Sequence, residues 1–194
     1  SGSQIAVTHD VGGTWIRTTR KGSDLWKVVA ADAATAWACC AGGLLATADG
    51  GASWATLIGL PWEYSTAYGL AASSRSVLWT AGRTGDRDGA VYRSTDGGVS
   101  WKQVLYVKAE PPVGDPPYTE DTLVRRWFTG VAAVDELTAW AVGLRGMIYK
   151  TSDGGATWTS QSGGTKLALW AVTAIDANTA WAVGDRGTIL GTVD

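Results

Sequence analysis

Thr151-Ser-Asp-Gly-Gly-Ala-Thr-Trp158 decides the fold, because the chain contains it four times over. Thr8-His-Asp-Val-Gly-Gly-Thr-Trp15, Thr47-Ala-Asp-Gly-Gly-Ala-Ser-Trp54 and Ser94-Thr-Asp-Gly-Gly-Val-Ser-Trp101 are the other copies, and Thr192-Val-Asp194 begins a fifth. From Thr8 to Thr192 the four periods average 46 residues. A second motif lies between the boxes, at Thr35-Ala-Trp37, Val77-Leu-Trp79, Thr138-Ala-Trp140 and Thr179-Ala-Trp181. Matches of this length at a fixed period mark a repeat protein.

Within a period the segments are short and apolar, with glycine or aspartate between them, and no stretch has the periodicity of an amphipathic helix. In the last full repeat, Trp170–Ile175, Thr179–Val183 and Thr188–Thr192 read as strands, and a fourth strand follows the tryptophan of each box. Four strands joined by short turns make an antiparallel meander. The expected fold is all-β: a β-propeller, or a segment of one, with about four four-stranded antiparallel blades. Small residues in the first strand of a blade (Val28-Val-Ala-Ala, Val131-Ala-Ala-Val) suit a strand near the axis, buried on both faces. Asp-x-Gly is a tight-turn signal, since glycine takes positive φ and the aspartate oxygens accept nearby N–H groups. Asp10, Asp49, Asp96 and Asp153 are therefore expected to hold the turns, and Trp15, Trp54, Trp101 and Trp158 to pack between blades. His9, at a variable box position, is expected to be exposed and inert.

Composition sets outer bounds. The 194 residues are 45% hydrophobic and 18% charged, with a formal net charge of −2. That excludes a disordered polyelectrolyte and gives no electrostatic reason to expect nucleic acid. No run of about 18 apolar residues predicts a membrane-spanning helix. Residues 1–3, Ser-Gly-Ser, read as a cloning scar, leaving 4–194 as a single repeat domain with loop inserts at 60–67 and 106–126. The two cysteines, Cys39 and Cys40, are adjacent, so alternation points them to opposite faces as buried or half-buried thiols.

The box Ser/Thr-x-Asp-x-Gly-x-Thr/Ser-Trp resembles the Asp-box, or bacterial neuraminidase repeat, of propeller hairpins. Asp176-x-x-Thr179-Ala-Trp-Ala-Val-Gly184-Asp-Arg-Gly-Thr-Ile-Leu190 is similar to the photosystem II assembly/stability factor-like repeat. This resemblance implies rings of about seven blades, Asp-boxes on the face away from ligands, and a non-catalytic scaffold for a protein segment. It also leans toward an exported protein. Other Asp-box families imply a glycan ligand or glycosidase activity instead. Four periods do not make seven blades, and the first strand (Gln4–Asp10) and last strand (Thr188–Asp194) are the same element of the repeat. Closure of one chain would therefore leave a redundant strand. A four-bladed ring, a homo-oligomer completing a larger ring and a fragment of a longer protein all remain open.

Departures from the repeat are where function is expected. Ten of the 12 tryptophans fall at packing positions, and Trp62 and Trp127 do not. The insert Leu60-Pro-Trp-Glu-Tyr-Ser-Thr-Ala-Tyr68 brings Trp62 and Tyr64, and the proline-rich insert 106–126 brings Tyr118 and Arg125-Arg126. These connections share one end of the blades with the turns between second and third strands. Those turns carry Arg145, Arg186 and, in the enlarged Gly82-Arg-Thr-Gly-Asp-Arg-Asp-Gly89, Arg83 and Arg87. The expected ligand-binding set is Trp62, Tyr64, Arg83, Arg87, Tyr118, Arg125, Trp127, Arg145 and Arg186. Arginine forks suit carboxylates and other anions, and aromatic platforms suit sugar rings or prolines.

Catalysis is not expected. A sialidase-like site would need a tyrosine nucleophile helped by a glutamate, and Tyr64 beside Glu63 and Tyr118 beside Glu120-Asp121 supply those types. However, that family's arginine motif ahead of the first box has no counterpart before Thr8. His9 is the only histidine and is lodged in a box turn, so a Ser-His-Asp site is not expected, and the cysteines cannot form a metal site with it. No phosphate loop opens a helix. No cofactor is expected. The partner is expected to be a protein or a glycan.

Overall fold

The computed structural model of the chain describes residues 3–20, 24–40, 43–57, 66–86, 88–110 and 125–193. It begins with a hairpin of β1 (Ser3–Val7) and β2 (Ile16–Arg20). Three four-stranded antiparallel sheets follow. They are β3 (Leu25–Ala30), β4 (Ala36–Cys40), β5 (Gly43–Thr47) and β6 (Ala55–Leu57); then β7 (Thr66–Ala72), β8 (Leu78–Arg83), β9 (Gly89–Ser94) and β10 (Lys102–Val107); then β11 (Phe128–Ala133), β12 (Ala139–Gly143), β13 (Met147–Thr151) and β14 (Thr159–Ser162). A three-stranded sheet of β15 (Leu169–Ala174), β16 (Thr179–Gly184) and β17 (Ile189–Val193) closes the described order. Among the described residues the blades, expected to number about four, are three four-stranded ones flanked by a hairpin holding third and fourth strands and a sheet holding the first three.

Each turn between third and fourth strands is the box, and its carboxylate makes the same bonds in every copy. Asp153 Oδ1 accepts from the Thr151 hydroxyl at 2.8 Å and the Thr157 amide at 2.9 Å, while Oδ2 accepts from the Thr157 hydroxyl at 2.6 Å. Thr151 Oγ1 in turn accepts the Gly155 amide at 2.9 Å. Asp10, Asp49 and Asp96 repeat this pattern with their own Ser and Thr neighbours. These bonds favour the carboxylate form and hold all four groups at about 2.

The box then builds the joint between blades. The ring of Trp79 on β8 meets Trp158 edge-on at a centroid distance of 6.0 Å, and a side chain at Gly155 would crowd Trp79 and Val104. Trp37 of β4 donates its indole N–H to the Gly97 carbonyl of the next blade's box at 3.0 Å. Around these contacts Trp37, Cys39 and Leu44 pack on Leu70 and Leu78, and Trp79, Ala81 and Val91 pack on Phe128, Val131 and Ala139. Truncating a tryptophan buried like Trp79, which is 0% exposed, typically costs about 3–5 kcal/mol. Beside the boxes, Arg75 bridges to Asp32 at 2.5 Å and Arg93 donates to the Glu136 carbonyl at 2.9 Å.

A β-bulge in every first strand adds a second set of joints. The register skips at Trp26, Tyr68, Thr129 and Trp170, the periodic position assigned to packing. Trp26 Nε1 donates to the Ala67 carbonyl of the next first strand at 2.7 Å, and Thr129 Oγ1 donates to the equivalent Leu169 carbonyl at 2.5 Å. The first strands lie side by side in the order β3, β7, β11, β15.

Burial departs from expectation at the two ends. β7 and β11 are buried as foreseen, but Val28 on β3 is 60% exposed where its equivalents Leu70 and Val131 are 1% and 5%. Trp181 and Val183 on β16 are 39% and 44% exposed, against values near zero for Trp79 and Ala81. Trp15 is also exposed, because no second-strand tryptophan packs on it among the described residues. Cys39 is buried and Cys40 half-buried, both as free thiols, and burial pushes the Cys39 thiol up to about 12. Among the described residues no helix is long and apolar enough to cross a membrane. His9 is exposed.

Two predictions follow from the boxes. Since the folded carboxylates sit near 2 and ordinary ones at 3.8, their contribution to stability is complete above 3.8 and is lost as pH falls through 2. Urea midpoints measured from neutral pH downward should be flat and then fall in that window, less steeply for Asp153→Asn. The first box also places Val11 at φ 58, where the others have Gly50, Gly97 and Gly154 at 69, 74 and 72. A β-branched residue is strained there, so Val11→Gly should stabilise the β1–β2 hairpin by roughly 0.5–1 kcal/mol, read as slower amide exchange.

Candidate functional site at the loop end

The meander gives the blades two unlike ends. At one end the boxes bond to the turns between first and second strands, with Gly50, Gly97 and Gly154 each donating to a turn carbonyl at 2.9 Å. Those turns are capped by Asp32, Asp135 and Asp176, whose carboxylates accept backbone amides two and three residues on. This end is rich in carboxylates. The other end collects the second-to-third strand turns and the blade-to-blade connections, joined by the Leu144 amide on the Trp127 carbonyl at 3.0 Å and the Asp185 amide on the Ala168 carbonyl at 2.9 Å. Gly143 is required there, because a Cβ would overlap the Trp127 carbonyl oxygen.

On this loop end the structure brings Arg83, Arg125 and Trp127 together. The guanidinium carbons of Arg83 and Arg125 each lie 5.0 Å from the centroid of the Trp127 ring, and Tyr68 stacks on the same ring at 6.2 Å and 21°. Each cation–π contact of this exposed kind is worth about 0.5–1 kcal/mol. Arg126 pairs with Glu110 at 2.6 Å and, with a smaller effect from Arg145, holds the Glu110 carboxyl below the usual carboxylate range. The Nε atoms of Arg83 and Arg126 are buried with no hydrogen-bond partner among the described residues. The Nε of Arg93, near the box end, is in the same state.

A buried carboxylate anchors the neighbouring chain. Asp88 is 4% exposed and accepts the Tyr106 hydroxyl and, at 2.5 Å, the Ala109 amide. The bond to Asp88, with burial behind it, pushes the Tyr106 hydroxyl up to about 12. This tether fixes the outgoing end of β10 next to the turn that carries Arg83.

Arg145 and Arg186 occupy equivalent type I′ turns, at φ 61 and 56, each followed by a glycine at positive φ. A non-glycine residue in the left-handed region costs roughly 1 kcal/mol, and such strain is commonly kept where a side chain has work to do. Arg145 is near enough to Glu110 to affect its titration. Arg186 projects one blade further on, beside Asp185, which accepts the Trp170 indole N–H at 2.6 Å. Trp62, Tyr64, Arg87 and Tyr118 lie outside the described residues, as do Glu63, Glu120 and Asp121. Tyr68, Asp88, Tyr106 and Glu110 were missed as site residues. Tyr68 fills a regular repeat position, and only the placement of Tyr106 and Glu110 at the entry of an insert could have marked them.

Comparison of folds places this arrangement. The structure of YCF48 bound to a D1 peptide matches with a TM-score of 0.58 and 19% identity, over 84% of this chain and 47% of that one. The fold is that of a β-propeller. A GH74 enzyme of Niastella koreensis matches at a TM-score of 0.56 and 15% identity, over 86% of this chain and 28% of that one. NanB, in a structure with Optactamide, matches at 0.53 and 13%, over 98% of this chain and 35% of that one. The chain therefore spans about half the length of the first of these propellers and less of the others. No protein-family model matches the chain, and no curated protein does.

Tyr106→Phe removes the hydroxyl that Asp88 accepts and leaves a buried carboxylate short of a donor. It should lower unfolding stability by about 1–3 kcal/mol, measured by thermal denaturation.

Proposed function

We propose that the chain is a non-catalytic binding module that holds an acidic protein segment on its loop end. The observation that carries this reading is the Arg83–Trp127–Arg125 stack. Guanidinium forks match carboxylates bidentately, and the Trp127 ring holds the two forks side by side. Arg145 and Arg186 extend the same charge along the arc, whereas the opposite end is lined with carboxylates that would repel such a partner. Steering of this kind favours one docking orientation. The peptide in the YCF48 structure shows that a protein of this fold takes a polypeptide ligand, and it supports the reading by analogy of fold.

The test is fluorescence anisotropy with a labelled (Glu-Ala)5 peptide, using (Gln-Ala)5 as the uncharged control. The acidic peptide should bind at low ionic strength and weaken steeply as salt is added, because exposed charges are screened. Arg83→Gln and Arg125→Gln should each weaken it by about five- to tenfold, the scale of one charge-assisted contact. Binding that ignores salt and both arginines would contradict the proposal. A neutral oligosaccharide that binds instead, and is lost with Trp127→Ala, would replace the peptide reading with a glycan one.

A further inference from the structure

One arginine of the loop end, Arg126, is already paired with a carboxylate of the chain itself. Glu110 follows the tethered segment Tyr106–Ala109 and places its Oε1 2.6 Å from an Nη atom of Arg126. The pair is unequal: the Arg126 side chain is 24% exposed, and its Nε is buried with no partner among the described residues, whereas the Glu110 side chain is 60% exposed. The arginine is therefore seated and the glutamate rests against it from the solvent side. Arg126 directly precedes Trp127, whose ring carries Arg83 and Arg125. A ligand carboxylate reaching this cluster meets a fork on which Glu110 sits first.

We infer that Glu110 is a built-in competitor for the arginine face, an internal carboxylate that an acidic ligand must displace from Arg126. The inference rests on the binding proposed above and deepens it in two ways. It names the chemistry of the ligand group, a carboxylate, since the site is complementary to the one it holds. It also makes Glu110 the residue that sets affinity. The tether supports this role, because Asp88 fixes Ala109 and so keeps Glu110 within reach of Arg126 with little entropy lost. The cost of displacement is modest. Exposed ion pairs are worth about 0.2–1 kcal/mol, so freeing the fork should tighten binding by about two- to fivefold.

The experiment compares wild type, Glu110→Gln and Glu136→Gln for binding of (Glu-Ala)5 at fixed ionic strength. Glu136 lies at the box end, where its side chain accepts from Ser74, so its variant makes the same change in net charge at the end opposite Arg83, Arg125 and Arg126. Circular dichroism and thermal midpoints establish that both variants fold. Glu110→Gln should bind about two- to fivefold tighter than wild type, while Glu136→Gln should not. Tightening by Glu110→Gln of a peptide that wild type holds too weakly to measure also supports the inference. Equal binding by wild type and Glu110→Gln, or equal gains by both variants, would overturn it while leaving the acidic-ligand reading standing. Absence of binding by all three proteins would overturn both.

Discussion

Everything in this fold hangs on a carboxylate that turns a hairpin. Each box aspartate gathers two hydroxyls and an amide, and the Ser or Thr two residues before it takes the amide of the glycine that follows. The turn so fixed presents a bare glycine and a tryptophan to the preceding blade. Only then can Trp37 reach the Gly97 carbonyl and Trp79 lie against Gly155 and Trp158. The carboxylates are exposed, so their worth lies less in burial than in ordering a surface on which buried tryptophans pack. Bulged residues of the first strands add donors at the other end, and the blades are thereby tied at both ends of their joint.

That division of labour explains the polarity of the molecule. The carboxylates of the box end are engaged by backbone amides, by hydroxyls and, at Asp32, by Arg75. The loop end has no such repeating motif, so its residues vary from blade to blade, and its arginines meet an aromatic ring rather than a partner carboxylate at Arg83 and Arg125. Arg145 and Arg186 keep a strained backbone in turns where asparagine or glycine would be comfortable. Stability and recognition thus occupy opposite ends of the same strands.

The blades were legible in the sequence because the box and the second-strand tryptophan recur with short apolar segments and turn residues between them, the pattern of a four-stranded blade. Strand limits in the last repeat fell within a residue or so of β15, β16 and β17. The end faces were less legible: the run Val28-Val-Ala-Ala has the composition of a buried first strand, yet what packs on it depends on its neighbour, not on its own residues. Of the expected site, Arg83, Arg125 and Trp127 do converge, since breaks in the repeat point to them. Asp88 and Tyr106 escaped notice because a contact 18 residues apart, between a turn and the end of β10, has no spacing rule to announce it. Glu110 escaped because a lone glutamate among loop residues carries no signal until its partner is placed.

The most direct test of the account is hydrogen-exchange footprinting of the chain with and without a saturating acidic peptide. The account predicts slowed exchange in residues 83–86, 125–128 and 144–147 at the loop end, with the box amides of Gly51, Gly98 and Gly155 unchanged. Protection confined to the boxes, or spread evenly over both ends, would contradict it.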